Sequence, residues 1–282
     1  MVTGSTTLVG IIGFPVGHSL SPAMHNAAFR ALEMDWIYVP LPVNPGRLDR
    51  AVQGLLSLGF RGANVTVPYK EKVIPYLDHV SEHAARIGAV NTITVEDGLL
   101  VGDNTDWRGF LDDIEEMGID PSGRHAVILG SGGASRSVAY ALATRGSDVT
   151  ICGRNRKTTE ALVNDLRNLF AGTEITSAAL ETFADSPTPT DILVNTTPVG
   201  MSPVTGCSPW PESIAFPRCE LAYDLIYNPG TTRFMEQAAK AGARAVNGLG
   251  MLVRQAGGSF GIWTGTPPPL EVMRRAALAC DR

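Results

Sequence analysis

Short apolar runs alternate along the chain with longer stretches in which apolar positions recur at helical spacing, the pattern of strands feeding helices. Residues 8–12, 36–41 and 62–67 read as strands, with helices over 22–32 and 48–58 between them. Ser21 is placed to cap the first helix, with Pro22 as its first helical residue. Residues 89–95 and 99–102 flank Asp97-Gly98, a pair that favours a hairpin turn. A helix is expected from 106 to 117, followed by a turn-rich stretch at 118–123. The alternation then continues with strands at 126–129, 149–152, 192–195 and 221–224 and around Val246. Helices are expected at 137–145, 249–262 and 270–279, and the Pro-rich patches near Pro187, Pro209 and Pro267 read as loops. Strand and helix in steady alternation predict an α/β protein with parallel sheets.

Composition narrows the picture. The 282 residues are 44% hydrophobic, enough for a sizeable core, and as a length they suggest two domains. A net charge of -5, from 23 basic and 28 acidic residues spread along the chain, supplies no basic block for nucleic acid or a membrane surface. No apolar run approaches the ~18 residues of a membrane span, and the first residues lack the pattern of a secretion signal. The four cysteines, Cys152, Cys207, Cys219 and Cys280, have no metal-ligand or redox spacing. A cytoplasmic location, reduced thiols and no metal are therefore expected.

The first concentrated chemistry is Gly130-Ser131-Gly132-Gly133-Ala134-Ser135, between an expected strand and an expected helix. Glycines there let the backbone approach a pyrophosphate, and the helix N-terminus offers unpaired N–H donors and a favourable dipole. An NAD site places Asp or Glu about 20 residues on, at the end of the next strand, to hold the ribose 2′-hydroxyl. Here the chain reads Cys152-Gly153-Arg154-Asn155-Arg156-Lys157, with no carboxylate. Guanidinium at that position suits a 2′-phosphate, so NADP is the expected cofactor. This predicts a Rossmann-type NADP-binding domain over 106–246 and a further α/β domain over 1–105. Helices from 247–282 pack back on the latter, with a cleft between the two domains.

The first half adds four polar motifs at expected strand ends, where α/β sheets bind ligands. They are Gly17-His18-Ser19-Leu20-Ser21-Pro22, Asn64-Val65-Thr66-Val67-Pro68-Tyr69-Lys70, Gly88-Ala89-Val90-Asn91-Thr92 and Gly102-Asp103-Asn104-Thr105-Asp106. Each alone has a plain explanation: Ser21 and Asp106 as helix caps, Lys70 as a surface charge, Asn91 as a turn residue. Together with Asn195 to Met201 (NTTPVGM), Asp224 to Pro229 (DLIYNP) and Gly248 to Gln255 (GLGMLVRQ), they stand in the order found in shikimate dehydrogenases. The resemblance runs from Gly10 to about Gly258 and makes the domain over 1–105 the substrate-binding, catalytic one.

That resemblance implies an NADP-dependent oxidoreductase acting on the CH–OH group of shikimate, reversibly with 3-dehydroshikimate, in chorismate and aromatic amino acid biosynthesis. Lys70 and Asp106 are the implied catalytic pair, relaying the alcohol proton while hydride leaves; which of the two accepts it stays open. Ser19 and Ser21 are implied for the substrate carboxylate, with Tyr227 assisting. Thr66, Asn91 and Gln255 are implied for the ring hydroxyls, and Asn64 as a structural residue. Gly130, Ser131, Gly132, Gly133 and Ala134 fall at the pyrophosphate, Arg154 at the 2′-phosphate, Thr196 to Val199 along the adjacent loop, and Gly248 and Met251 near the nicotinamide. A homodimer is left open.

Three of the motifs depart from the family. Trp107 stands where glycine usually follows Asn-Thr-Asp, and Gly153-Arg154-Asn155 replaces the usual Asn-Arg-Thr. Ser131 and Ser135 stand where the glycine loop commonly has alanines. Quinate in place of shikimate, or use of NAD, is therefore an alternative specificity. A binding module sensing NADP(H) or an aromatic precursor is an alternative of another class, and such a sensor need not keep a Lys–Asp pair. A relative with a folate-type substrate shares the two-domain plan, but the serines of SLSP and the Asn-Thr-Asp motif argue against it.

Overall fold

A computed structural model describes residues 2–181 and 190–280; the loop expected near Pro187 lies outside the described residues. The chain divides into two compact units, Met1–Gly109 with Leu252–Arg282, and Phe110–Met251. The division falls inside the helix that begins at Asp106, which lies in the first unit.

In the first unit, β1 (Thr7–Gly13), β2 (Trp36–Pro42) and β3 (Phe60–Val65) are parallel, connected by α1 (Ser21–Ala31) and α2 (Leu48–Ser57). Beyond β3 the sheet turns antiparallel through β5 (Thr92–Glu96) and β6 (Leu99–Asp103), and it ends on β4 (His79–Val80), parallel to β6. The strand order is β2-β1-β3-β5-β6-β4. The sheet of this unit is therefore mixed, with the expected hairpin as its antiparallel part. Asp97 and Gly98 both take positive φ, 50° and 78°, as a two-residue hairpin turn requires, and such a turn forces antiparallel neighbours. The place of Ser21 is corrected. It is the first helical residue rather than the cap, which is Leu20 with no side-chain cap bond. Three short elements of this unit escaped sequence reading: β4, α3 (Glu82–Ile87), capped by the Ser81 side chain, and the 3-10 turn Ile74–Tyr76.

On one side of this sheet Val52, Leu55, Ala63, Val65, Val73, Ile93 and Leu100 form a core. The last helices, α8 (Leu249–Thr264) and α9 (Leu270–Cys280), follow from the second unit, and α9 packs on α1. His25 and Phe29 of α1 meet Phe260 of α8 in an aromatic layer, and Trp263 Nε1 donates to Ile93 O at 3.0 Å.

The second unit is a parallel six-stranded sheet of β7 (His125–Leu129), β8 (Asp148–Cys152), β9 (Ile175–Ser177), β10 (Ile192–Asn195), β11 (Leu221–Asp224) and β12 (Arg244–Asn247). Its order, β12-β11-β10-β7-β8-β9, steps outward both ways from the first strand, as in a doubly wound dinucleotide-binding sheet. The unit takes in most of α4 (Asp106–Glu116), then α5 (Gly133–Thr144), α6 (Arg156–Leu169) and α7 (Arg233–Lys240). Strands 126–129 and 192–194 are fully or almost fully buried, as expected of a sheet covered on both faces.

Candidate active site

The first unit gathers most of the expected substrate residues by fixing loops at strand ends. After β3 the chain turns tightly: Tyr69 N donates to Thr66 O at 2.9 Å, and the buried Tyr69 hydroxyl donates to Val43 O at 2.7 Å. Val90 N donates to Lys70 O at 2.8 Å, pinning the lysine backbone beside the Gly88-Ala89-Val90-Asn91 loop. At the start of α4, Asn104 Oδ1 accepts from Asp106 N at 3.0 Å while its amide donates to Ala89 O at 2.8 Å. These anchors bring Lys70 Nζ to 2.7 Å from Asp106 Oδ2, with the two side chains 17% and 5% exposed.

Asn91 organises the space around this pair. Its amide donates to Asp106 Oδ1 at 2.9 Å, to Thr105 Oγ1 at 2.9 Å and to Gln255 Oε1 at 3.2 Å. Its Oδ1 accepts from Thr105 N and the Thr92 hydroxyl at 2.8 and 2.9 Å. Gln255 arrives on α8 because two glycines permit a close crossing. A Cβ on Gly109 would lie 2.8 Å from Gln255 N, and one on Gly258 would lie 3.1 Å from the Thr105 side chain. Thr105 Oγ1 also donates to Gln255 O at 2.9 Å.

The serine loop lies alongside, since Phe14 N donates to Val67 O at 3.1 Å. Ser19 Oγ accepts from Ser21 N at 3.3 Å, and the Ser21 side chain bonds the Tyr38 phenol. Burial holds that phenol well above its ordinary pKa, so it remains a donor, to Asn64 Oδ1 at 2.8 Å. The Asn64 amide is spent on Asn91 O, Thr92 and Ser259, which gives Asn64 a structural place. Tyr38, Thr105 and Ser259 went unremarked as individual residues in the sequence. Tyr38 reads there as a strand aromatic, Thr105 as part of its motif and Ser259 as a polar break in an apolar helix.

Tyr227 and the expected cofactor residues are in the second unit. At the C-terminal end of β7, Gly130 has φ +117° and comes so close to Thr196 that a Cβ would meet Thr196 Oγ1 at 2.4 Å. Gly132 is the N-cap of α5 and has no side chain to cap it, leaving an exposed helix N-terminus for an anion. Ser131 Oγ lies 3.0 Å from Thr158 Oγ1 at the start of α6, and Arg154 is exposed on the turn between β8 and that helix. At the ends of β10 and β11, Asn195 Nδ2 donates to Asp224 Oδ1 at 2.9 Å and Thr232 donates to Asp224 Oδ2 at 2.6 Å. Burial pushes the Asp224 carboxyl up to about 6. Gly248 N donates to Ile226 O at 3.1 Å, which seats the Gly248–Met251 turn beside the strand that leads to Tyr227. Burial raises the Tyr227 phenol above its usual value.

Residues 11–93 match the model of the shikimate dehydrogenase substrate binding domain, and 248–278 match that of the shikimate 5'-dehydrogenase C-terminal domain. The chain is 44% identical over 283 residues to the shikimate dehydrogenase (NADP(+)) of Carboxydothermus hydrogenoformans, covering 99% of each. The chain belongs to the shikimate dehydrogenase family. A solved shikimate dehydrogenase in complex with NADP+ superposes with a TM-score of 0.91 at 38% identity, over 100% of this chain and 98% of the other. The Thermus thermophilus shikimate 5-dehydrogenase in complex with NADP(H) and shikimate gives 0.86 at 36%, over 97% and 99%.

Two departures from the shikimate dehydrogenase pattern acquire physical reasons. Trp107 is directed to α3, where its ring meets that of His83 at 4.7 Å centroid separation. At Gly153 a Cβ would lie 2.1 Å from Thr159 Oγ1 and 2.9 Å from Ser131 Oγ, so the asparagine usual in the family would have to displace these side chains. Among the described residues no cluster of His, Cys, Asp and Glu could hold a metal ion, and no helix is long and apolar enough to cross a membrane.

Proposed function

We propose that the chain interconverts shikimate and 3-dehydroshikimate with NADP(H). The observation that carries this reading is the Lys70–Asp106 contact of 2.7 Å, set among Asn91 and Gln255. The second unit fits the cofactor: a positive-φ glycine at the strand end, an uncapped helix N-terminus, and Arg154 with no carboxylate on the 153–157 turn. Bound NADP+ supplies the hydride acceptor.

The chain's own residues then bind, orient and manage one proton. Ser19 and Ser21 hold the carboxylate, assisted by Tyr227, and Thr66, Asn91 and Gln255 hold ring hydroxyls. Lys70 and Asp106 face the alcohol being oxidised. As the carbon loses hydride and the C–O bond becomes a carbonyl, the hydroxyl proton passes to this pair, and the reverse reaction returns it. Gly130, Ser131, Gly132, Gly133 and Ala134 take the pyrophosphate, Arg154 the 2′-phosphate, and Thr196, Gly248 and Met251 the nicotinamide side. The same reading has the enzyme working in the cytoplasm, with a homodimer as the assembly to test by light scattering.

The test is nicotinamide absorbance with shikimate or quinate, each with NADP or NAD. Turnover confined to shikimate with NADP is expected. Preference for quinate or NAD overturns the specificity, and silence in all four pairs overturns the activity.

A further inference from the structure

The first turn of α8 is held by two buried side chains that have no part in the proton transfer. A helix leaves its first N–H groups without intrahelical partners. Here Leu249 N donates to Asn247 Oδ1 at 3.2 Å, and Met251 N donates to the hydroxyl of Tyr223 at 3.3 Å. Tyr223, on β11, is fully buried, and its hydroxyl donates to Asp113 Oδ2 at 2.6 Å. Asp113, on α4, is 2% exposed. A Cβ on Gly250 would lie 2.0 Å from Asp113 Oδ1 and 2.3 Å from Oδ2. The carboxylate is therefore pressed against backbone at the start of α8, where the partial positive charge of a helix N-terminus favours it. Glycine at 250 is what admits it.

We propose that Asp113 and Tyr223 are positioning residues for hydride transfer: together they fix the Gly248–Met251 turn on which the nicotinamide rests. This rests on the reading that Gly248 and Met251 flank that ring. The physical reason is the steepness of the chemical step with geometry, since a misplacement of about 1 Å can cost on the order of 10²-fold in rate. Tyr223 ties strand β11 to the helix start, and the Asp113 carboxylate fixes the direction of its hydroxyl. Without them the turn keeps its chain path but loses its register against the sheet. Substrate affinity is set by other residues and does not depend on this support.

Tyr223→Phe removes the hydroxyl while the ring stays packed edge-on against Phe110, at 5.3 Å and 76°. Asp113→Asn removes the charge but keeps an acceptor. Both are assayed with shikimate and NADP, with protiated substrate and with substrate deuterated at the oxidised carbon, alongside Tm. The expected result for Tyr223→Phe is a kcat about tenfold lower with KM for shikimate within about twofold. The primary isotope effect rises as hydride transfer becomes limiting, and Asp113→Asn moves in the same direction by less. An unchanged kcat and isotope effect in Tyr223→Phe overturns the proposal. So does a parallel loss of kcat, shikimate affinity and Tm in both variants, which marks a general structural role. If the wild-type chain does not turn over shikimate with NADP, the activity reading fails separately. NADPH fluorescence titration then decides: several-fold weaker binding by Tyr223→Phe supports the positioning role, and equal affinity overturns it.

Discussion

His25 on α1 sets a pH limit on the first unit. The ring is fully buried, stacked on Tyr38 at 4.4 Å and 1°, with Trp263 at 5.4 Å. Neither ring nitrogen has a hydrogen-bond partner among the described residues. Burial lowers its pKa from 6.5 to about 3, so the folded unit keeps a neutral imidazole at pH values where the unfolded chain has already taken up a proton. The unfolded state thus binds more protons between about pH 6.5 and 3, and stability falls as pH falls through that window. Integration gives a loss of about 2 kcal/mol between pH 7.5 and 5, reaching about 5 kcal/mol below pH 3. Asp224 works in the other direction. With its pKa raised from 3.8 to about 6, the folded second unit takes up the proton first, adding on the order of 1 kcal/mol over the same interval. The wild-type profile is therefore a partial cancellation, and His25→Phe isolates one side of it. Urea unfolding at pH 7.5, 6 and 5, with hydrogen exchange of peptides covering α1 and β2, reads the first unit by itself. At pH 7.5 the variant should match or exceed the wild type, because unpartnered buried polar atoms have been removed. By pH 5 its advantage should have grown by about 2 kcal/mol. A difference that stays constant across the three pH values refutes the reasoning, since the imidazole must then protonate without leaving the fold.

Three substitutions test the site more directly. Lys70→Ala should lower kcat by on the order of 10²–10⁴-fold while NADPH titration finds nearly unchanged affinity; an unchanged kcat removes Lys70 from the chemistry. Arg154→Ala should raise KM for NADP about 10–100-fold, the loss of a charge-assisted phosphate contact, and leave KM for NAD alone. Equal effects on the two cofactors end its phosphate role. Gly109→Ala would ordinarily help a helix by up to about 1 kcal/mol, but here the new Cβ meets Gln255 N at 2.8 Å. KM for shikimate should rise several-fold with a smaller change in kcat, and an unaltered KM would detach Gln255 from the substrate.

What sequence made legible here depends on how far each signal reaches. Most strands and helices announced themselves through periodicity, but β4, β9 and α3 are too short to show a period, and α6 and α7 were not placed by it. The hairpin at Asp97-Gly98 was readable locally and accounts for β5 against β6, but the antiparallel pairing of β3 with β5 joins distant segments that no local run encodes. The same holds for the site. Lys70, Asn91, Asp106 and Gln255 stand out as polar residues in motifs, but the parts that set their geometry do not look chemical at all. Glycine is the trace those parts leave. In α8, Gly250, Gly257 and Gly258 each cost the helix roughly 1 kcal/mol relative to alanine. Each coincides with a close approach: Asp113 at Gly250, Leu270 and Pro268 at Gly257, Thr105 at Gly258. These three glycines report side chains that arrive from elsewhere in the chain, whereas Gly261 of the same helix meets only Thr266 O, at 3.9 Å. The glycines of GLGMLVRQAGG therefore mark where α8 is gripped: Met251 lies beside the Asp113 contact at Gly250, and Gln255 beside the contacts at Gly257 and Gly258.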